Sequence, residues 1–325
     1  MPTRVIIDTD PGIDDALALV LALQSPELLV EAITTVSGNV HVDLATRNAL
    51  TVLSLFPPER RPPVARGAEA PLNRSLRTAA QEHGEDGLGE LWRHRAVDGT
   101  PRYQPGGAAP AAMDAVTCLL ECIRHFPNEL ILITLGPLTN VAHALRRDAA
   151  RMQQLAGVVM MGGAVTVPGN ITPAAEFNIY VDPEAAQLVL ASGLPLSLVG
   201  LDVTERVRLT AEMIDARVRP LGTPLSQFIV DCTAQAIQFS ERVERPAGMA
   251  MHDPLAVGVA IDPLVVHTER MSVQVETTGE LTAGMTLADR RPLRPDLKAP
   301  ANVSVAVEVD AARFLELFLT RMRTR

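Results

Sequence analysis

Three cysteines in 325 residues are too few for a disulfide framework. Cys118 and Cys122 stand four apart on an expected helix, so share a face, and read as core thiols. No apolar run approaches the roughly 20 residues that would span a bilayer. Basic residues are in the minority: 29 Lys and Arg against 38 Asp and Glu leave a net charge of −9. That balance argues against nucleic acid or an anionic membrane surface as the main partner. A Walker A segment, a Gly-x-Gly-x-x-Gly turn after a strand and a Gly-x-Ser-x-Gly elbow are all missing, so nucleotide-cofactor and serine-hydrolase chemistry lack their parts. The stretch before the first strand is too short for a secretory signal, and a cytoplasmic protein is expected.

What is present is ample core material: 47% of the residues are hydrophobic and 21% charged, the balance of a globular chain. Val5–Asp8 reads as a buried strand. Asp14–Gln24 reads as a helix whose acidic first turn suits its dipole. Leu28–Val36 and Leu44–Leu55 repeat the strand–helix pair. This βαβα order predicts an α/β fold with a largely parallel sheet covered by helices. Residues 57–110, rich in Pro, Gly, Arg and Glu, predict a long surface excursion that could act as a mobile lid. Beyond it, helices are expected over Ala111–His125, after Asn140, over Pro183–Ser192 and over Pro224–Glu241. Strands are expected over Leu130–Leu135, Gly157–Met161, Leu196–Leu201 and Asn302–Val309. A hairpin through Gly279 fits Met271–Leu287, and Asp310 should cap a terminal helix running to Met322. No linker divides the chain, so residues 1–325 read as one domain. Asp10, Asn39, Gly136, Gly162 and Asp202 all stand just beyond strands, where ligands bind in open α/β sheets.

The densest chemistry lies in Asp8-Thr9-Asp10-Pro11-Gly12-Ile13-Asp14-Asp15. Four carboxylates within eight residues repel unless a cation binds them or some stay protonated. Their oxygens suit Ca²⁺ or Mg²⁺, and Gly12 should let the backbone turn sharply. Complementing a helix N-terminus would account for Asp14 and Asp15 but not for Asp10. Met251-His252-Asp253-Pro254 offers a proton carrier beside a carboxylate in an apolar stretch, although Asp-Pro is also a common helix start. Glu176 and Asn178, two apart on an expected extended segment, would point the same way and could read sugar hydroxyls with Asn170; an ordinary polar loop is the plain alternative. Asp182, just before Pro183, fits a cap. His83-Gly84 alone would pass for surface.

Taken together these segments resemble the inosine-uridine preferring nucleoside hydrolase family. The match runs through the acidic turn, Gly38-Asn39, His83-Gly84, Gly136-Pro137-Leu138-Thr139-Asn140, Met161-Gly162-Gly163, Glu176-Phe177-Asn178, Asp182-Pro183-Glu184-Ala185-Ala186 and His252-Asp253-Pro254, over nearly the whole chain. The resemblance implies an open, mostly parallel mixed sheet with helices on both faces, a Rossmann-like architecture. It also implies a Ca²⁺-dependent N-ribohydrolase that splits ribonucleosides into ribose and free base in purine or pyrimidine salvage. Asp10, Asp15 and Asp253 would bind the metal with the Leu135 carbonyl, at a position where familiar members carry Thr. Asp14, Asn170, Glu176, Asn178, Asp253 and the Met161 backbone would hold the ribose. Asn39 would help place the attacking water, with Asp10 as its base. His252 matches a leaving-group acid found in one branch, which favours broad or pyrimidine-accepting activity. His83, Gln235, Gln238 and Phe239 are the candidates for base contacts, and an aromatic content of 3% argues against a rich stacking cage. A homodimer or homotetramer is implied, with a small-molecule ribonucleoside as partner. Two rivals remain at this point. Asp8-Thr9-Asp10 after a strand fits a haloacid-dehalogenase-like phosphatase, though Gly-Thr does not follow. A non-catalytic Ca²⁺-dependent nucleoside-binding protein is the other.

Overall fold

The computed structural model describes residues 1–243, 247–292, 294 and 299–323. The first strand, β1 (Thr3–Thr9), carries Val5 and Ile7 on one face and Ile6 on the other, all fully buried because helices cover both sides. It is followed by α1 (Ile13–Gln24), β2 (Leu28–Thr35), α2 (Val42–Leu53), β3 (Val64–Arg66) and the short α3 (Ala80–His83). The middle of the chain forms α4 (Ala115–His125), β4 (Leu130–Thr134), α5 (Thr139–Met152), β5 (Gly157–Met161), α6 (Phe177–Val181), α7 (Pro183–Leu190), β6 (Leu196–Val199) and α8 (Leu201–Thr204). The remainder forms β7 (Arg208–Leu209), α9 (Ala211–Met213), α10 (Pro224–Val243), β8 (Met249–Ala250), α11 (His252–Ile261), β9 (Val266–Met271), β10 (Val273–Val275), β11 (Thr286–Ala288), β12 (Val303–Val309) and α12 (Ala311–Arg321).

Eight strands make the main sheet in the order β3-β2-β1-β4-β5-β6-β12-β9, and every neighbouring pair is parallel except β12 with β9. This is the expected mixed α/β sheet. Strand order reverses between β1 and β4, so the loops beyond these two strands diverge and open a crevice. One core layer packs α1, α2, α10, α11 and α12 against the sheet, and a second packs α4, α5 and α7 against its other face. Cys118 and Cys232 are buried and Cys122 is half-buried, all as free thiols. Asp310 caps α12 through the Arg313 N–H, and Asp182 caps α7 through the Ala185 N–H, as expected. Among the described residues no helix is long and apolar enough to cross a membrane.

Two features depart from expectation. The edge strand β9 runs antiparallel to β12 with His267–Arg270 exposed, so it never shows the apolar alternation that marks a covered strand. The 57–110 excursion is not featureless. Its Val64 and Ala65 add an edge strand, and the segment is tied down where Ala68 N–H donates to Asn140 Oδ1 and Leu72 N–H to Asp182 Oδ2. Further tie points are Arg74 on Glu184 and the Tyr103 hydroxyl on Asp231.

Candidate active site

The acidic turn joins β1 to α1 at the sheet's reversal point. Asp15 is held from four sides: its Oδ1 accepts from the Thr9 hydroxyl and the Asp10 N–H, its Oδ2 from Gly12 N–H at 2.9 Å and Asn39 Nδ2 at 3.0 Å. Asp10 Oδ2 accepts from the Asn39 backbone N–H, while Asp10 Oδ1 is buried with no hydrogen-bond partner. A Cβ on Gly38 or Gly136 would overlap the Asp10 carboxylate, which explains both glycines. Gly12 has a different reason from the one expected. Its φ of −89° is open to any residue, and the glycine is needed because the His83 ring sits where a Cβ would come within 2.6 Å. Asp8 turns away into a supporting shell, its Oδ1 accepting from the Thr34 hydroxyl and from Asn140 Nδ2 at 2.7 Å.

A cavity opens above this turn. Of the residues singled out from the sequence, Asp14, Asn39, His83, Leu135, Met161, Asn170, Glu176, Asn178, Phe239, His252 and Asp253 line it. Asp10 and Asp15 are fully buried and lie outside that lining. Glu176 and Asn178 do share the cavity, but not on an extended segment. Glu176 is the N-cap of α6, its carboxylate accepting from the N–H groups of Gly163, Asn178 and Ile179, because a carboxylate satisfies donors that a helix start leaves unpaired. Asn178 Nδ2 donates to the Leu135 carbonyl at 2.6 Å. Asn170 accepts from Phe177 N–H at the exposed rim.

Against the acidic turn, His83 closes α3 and its Nδ1 accepts from Ile13 N–H at 3.0 Å. A ring nitrogen that accepts there carries no proton, so the ring is neutral with its hydrogen on Nε2, and burial pushes its pKa down. His252 opens α11, with Nδ1 2.7 Å from the Thr204 hydroxyl. The α10 residues facing the cavity are Ala236, Phe239 and Ser240. Gln235 and Gln238, expected as base contacts, do not line it, since the helix turns Gln238 outward to solvent and Gln235 toward Gly84. Thr204 was invisible in the sequence: a lone Thr carries no signal until the fold brings its partner.

The electrostatics single this site out. Burial, then the neighbouring Asp15 and Asp14 charges, push the Asp10 carboxyl well above its usual range. Burial and Asp15 bring Asp14 up to about 7, with His252 pulling it back. Asp253 is driven up by burial and by Asp14, Asp15 and Asp10. Ligand oxygens of Asp14, Asp15 and Asp253 lie within 4.8 Å of one another. No Lys or Arg among the described residues forms an ion pair with any of the four. An all-oxygen donor set, a buried carboxylate oxygen without a partner and uncompensated negative charge together fit a hard divalent cation.

Comparison with known proteins agrees with this geometry. The profile of the family described as "Inosine-uridine preferring nucleoside hydrolase" matches residues 5–316. The pyrimidine-specific ribonucleoside hydrolase RihA of Shewanella sp. (strain ANA-3) is 39% identical over 324 residues, covering 98% of this chain and 96% of its own. The purine-preferring ribonucleoside hydrolase from Gardnerella vaginalis superposes with a TM-score of 0.89 at 33% identity, covering 98% of each chain. A plant nucleoside hydrolase superposes at 0.90 with 33% identity over the full length of both. Site geometry, sheet order and near-complete coverage converge: the chain belongs to the inosine-uridine preferring nucleoside hydrolase family and is an enzyme that hydrolyses ribonucleosides.

Proposed function

We propose that the enzyme is Ca²⁺-dependent, that it cleaves the N-glycosidic bond by water attack at the anomeric carbon, and that it favours pyrimidine ribonucleosides. The observation that carries the metal reading is the buried group of Asp14, Asp15 and Asp253 beside the unpartnered Asp10 Oδ1. Asp10, Asp15, Asp253 and the Leu135 carbonyl would hold the ion; that carbonyl keeps a second lone pair beside its bond from Asn178. Bound Ca²⁺ would supply positive charge that acidifies nearby water and anchors ribose hydroxyls.

The chain's own groups then divide the work. Asn39 fixes Asp10 Oδ2 with its backbone and Asp15 with its side chain, leaving Asp10 Oδ1 to take the proton of the attacking water. Asp14 faces the cavity and accepts from a ribose hydroxyl. Together with Glu176 it places negative charge around an oxocarbenium-like transition state. Asn170, Asn178, Asp253 and the Met161 backbone complete the ribose contacts. Thr204 orients the His252 ring through Nδ1, so proton delivery to the departing base falls to Nε2. His83 Nε2–H is a fixed donor for an acceptor on the substrate.

The pyrimidine preference rests on His252 and on the resemblance to RihA proteins, and it suits a cavity with only Phe177 and Phe239 as carbocyclic aromatics among its lining residues. Neither rival reading gains support, because the family match spans residues 5–316. The deciding assay measures ribose release from uridine, cytidine and inosine after chelation and after Ca²⁺ is restored. Release that depends on Ca²⁺ and favours the pyrimidines is expected. Full activity in chelator would sink the metal assignment, and inosine as the best substrate would sink the preference.

A further inference from the structure

Asn48 lies near the middle of α2, 3% exposed and outside the wall of the catalytic cavity. Asparagine is a poor mid-helix residue because its amide competes for backbone groups. Here that amide reaches two other loops. Asn48 Nδ2 donates to the Pro11 carbonyl at 3.0 Å and to the Asp86 carbonyl at 2.8 Å. Pro11 sits inside the acidic turn, next to Asp10, and Asp86 sits three residues after His83. Gly87 permits the approach. At φ 75° it adopts a backbone conformation that glycine tolerates, and a Cβ there would stand 2.9 Å from Asn48 Nδ2 and 3.2 Å from the Pro11 oxygen. The same two loops meet once more where Ile13 N–H donates to His83 Nδ1. The His83 loop is thus joined to the acidic turn at two points, one direct and one through Asn48.

We propose that Asn48 is a positioning residue for the reaction, setting the spacing between the carboxylate turn that takes the ribose and the His83 loop packed against it. It acts through those loops and touches no substrate atom. The inference rests on the roles given above to Asp10, Asp14 and His83. Replacing Asn48 strands two carbonyls without donors and releases one of the two ties, so the His83 ring is no longer held at a fixed distance from the site of attack.

The test is a double-mutant cycle on uridine hydrolysis with Asn48→Leu, His83→Ala and the pair, reading kcat and KM separately alongside the melting temperature. Asn48→Leu is expected to lower kcat/KM about tenfold in the parent but at most about twofold once His83 is gone, a coupling that general loosening of the fold would not produce. Asn48→Asp keeps the shape and removes both donors, and it should show the same dependence on His83 if the Leu variant folds poorly. Thr51→Val, which removes only a hydroxyl bonded to the Arg47 carbonyl on the same helix, is expected to stay close to the parent. Equal losses in both backgrounds, or no loss from either Asn48 variant, would overturn the inference alone. If His83→Ala itself changes neither kcat nor KM, the role given to His83 fails and the inference falls with it.

Discussion

Gly38 and Gly136 matter for the side chain they lack. Either Cβ would displace the Asp10 carboxylate, so Gly136→Ala is expected to cost about 100-fold in kcat, the effect of misplacing a reacting group by about an ångström. Steady-state kinetics beside a melting curve check this: a large kcat loss with a small stability change is the expected pair. Asp8 gives a prediction of a different kind. Burial raises its pKa from 3.8 to about 6, against the pull of Thr34 and Asn140. The folded state therefore holds this proton more tightly than the unfolded chain. The group costs nothing below pH 4, costs progressively more as pH climbs through the 4–6 window, and above it costs about 3 kcal/mol at most. Asp8→Asn should accordingly be more stable than the parent at pH 7.5 and converge with it near pH 4, measured by urea denaturation in chelator. A parent more stable at pH 7.5 would refute it. The carboxylates themselves were readable in the sequence because four of them crowd one turn. Asn48 and Thr204 were not, since each is an isolated polar residue whose partner lies far along the chain.

At the level of helices and loops, the expected strands β1, β2, β4, β5, β6 and β12 and the helices α1, α2, α4, α5, α7, α10 and α12 were visible, the strands because burial on both faces leaves dense apolar runs. β9 escaped notice because an edge strand facing solvent keeps a charged sequence, which also discourages pairing with another sheet. α6 was read as extended because five residues are too few to show a helical period. The anchoring of the excursion was hidden as well. Asp231 on α10 accepts from the Tyr103 hydroxyl at 2.7 Å, Arg102 Nη1 at 3.1 Å and Gln227 Nε2 at 2.7 Å, and Tyr103 packs edge-on against Phe228. Asp231→Ala should release residues 94–103 from α10 at a cost of about 3 kcal/mol. Amide exchange across that segment should accelerate while exchange in β1 and β4 stays slow; unchanged protection of 94–103 would show that other contacts hold it.

For the molecule as a unit, the strongest single lever would be the proposed ion. A ligand that binds only the folded chain stabilises it by about 2.7 kcal/mol at a hundred times its dissociation constant. Ca²⁺ added to chelated protein should therefore raise the melting temperature in a concentration-dependent way, and Asp253→Ala should abolish the shift. A shift that survives in Asp253→Ala would place the ion elsewhere. The alternation of strands and helices made the parallel sheet readable, but the adjacency of β6, β12 and β9 required long-range pairings that no local pattern encodes. The reversal between β1 and β4 has a kinetic consequence. Asp10, Leu135 and Asp253 reach their common crevice only after segments from the start, the middle and the last quarter of the chain have docked. No nascent fragment can assemble the proposed ligand set, and a folding nucleus built from local contacts would lack it. Ca²⁺ should then leave the refolding rate almost untouched and slow unfolding instead, making the resting enzyme long-lived without hastening its birth.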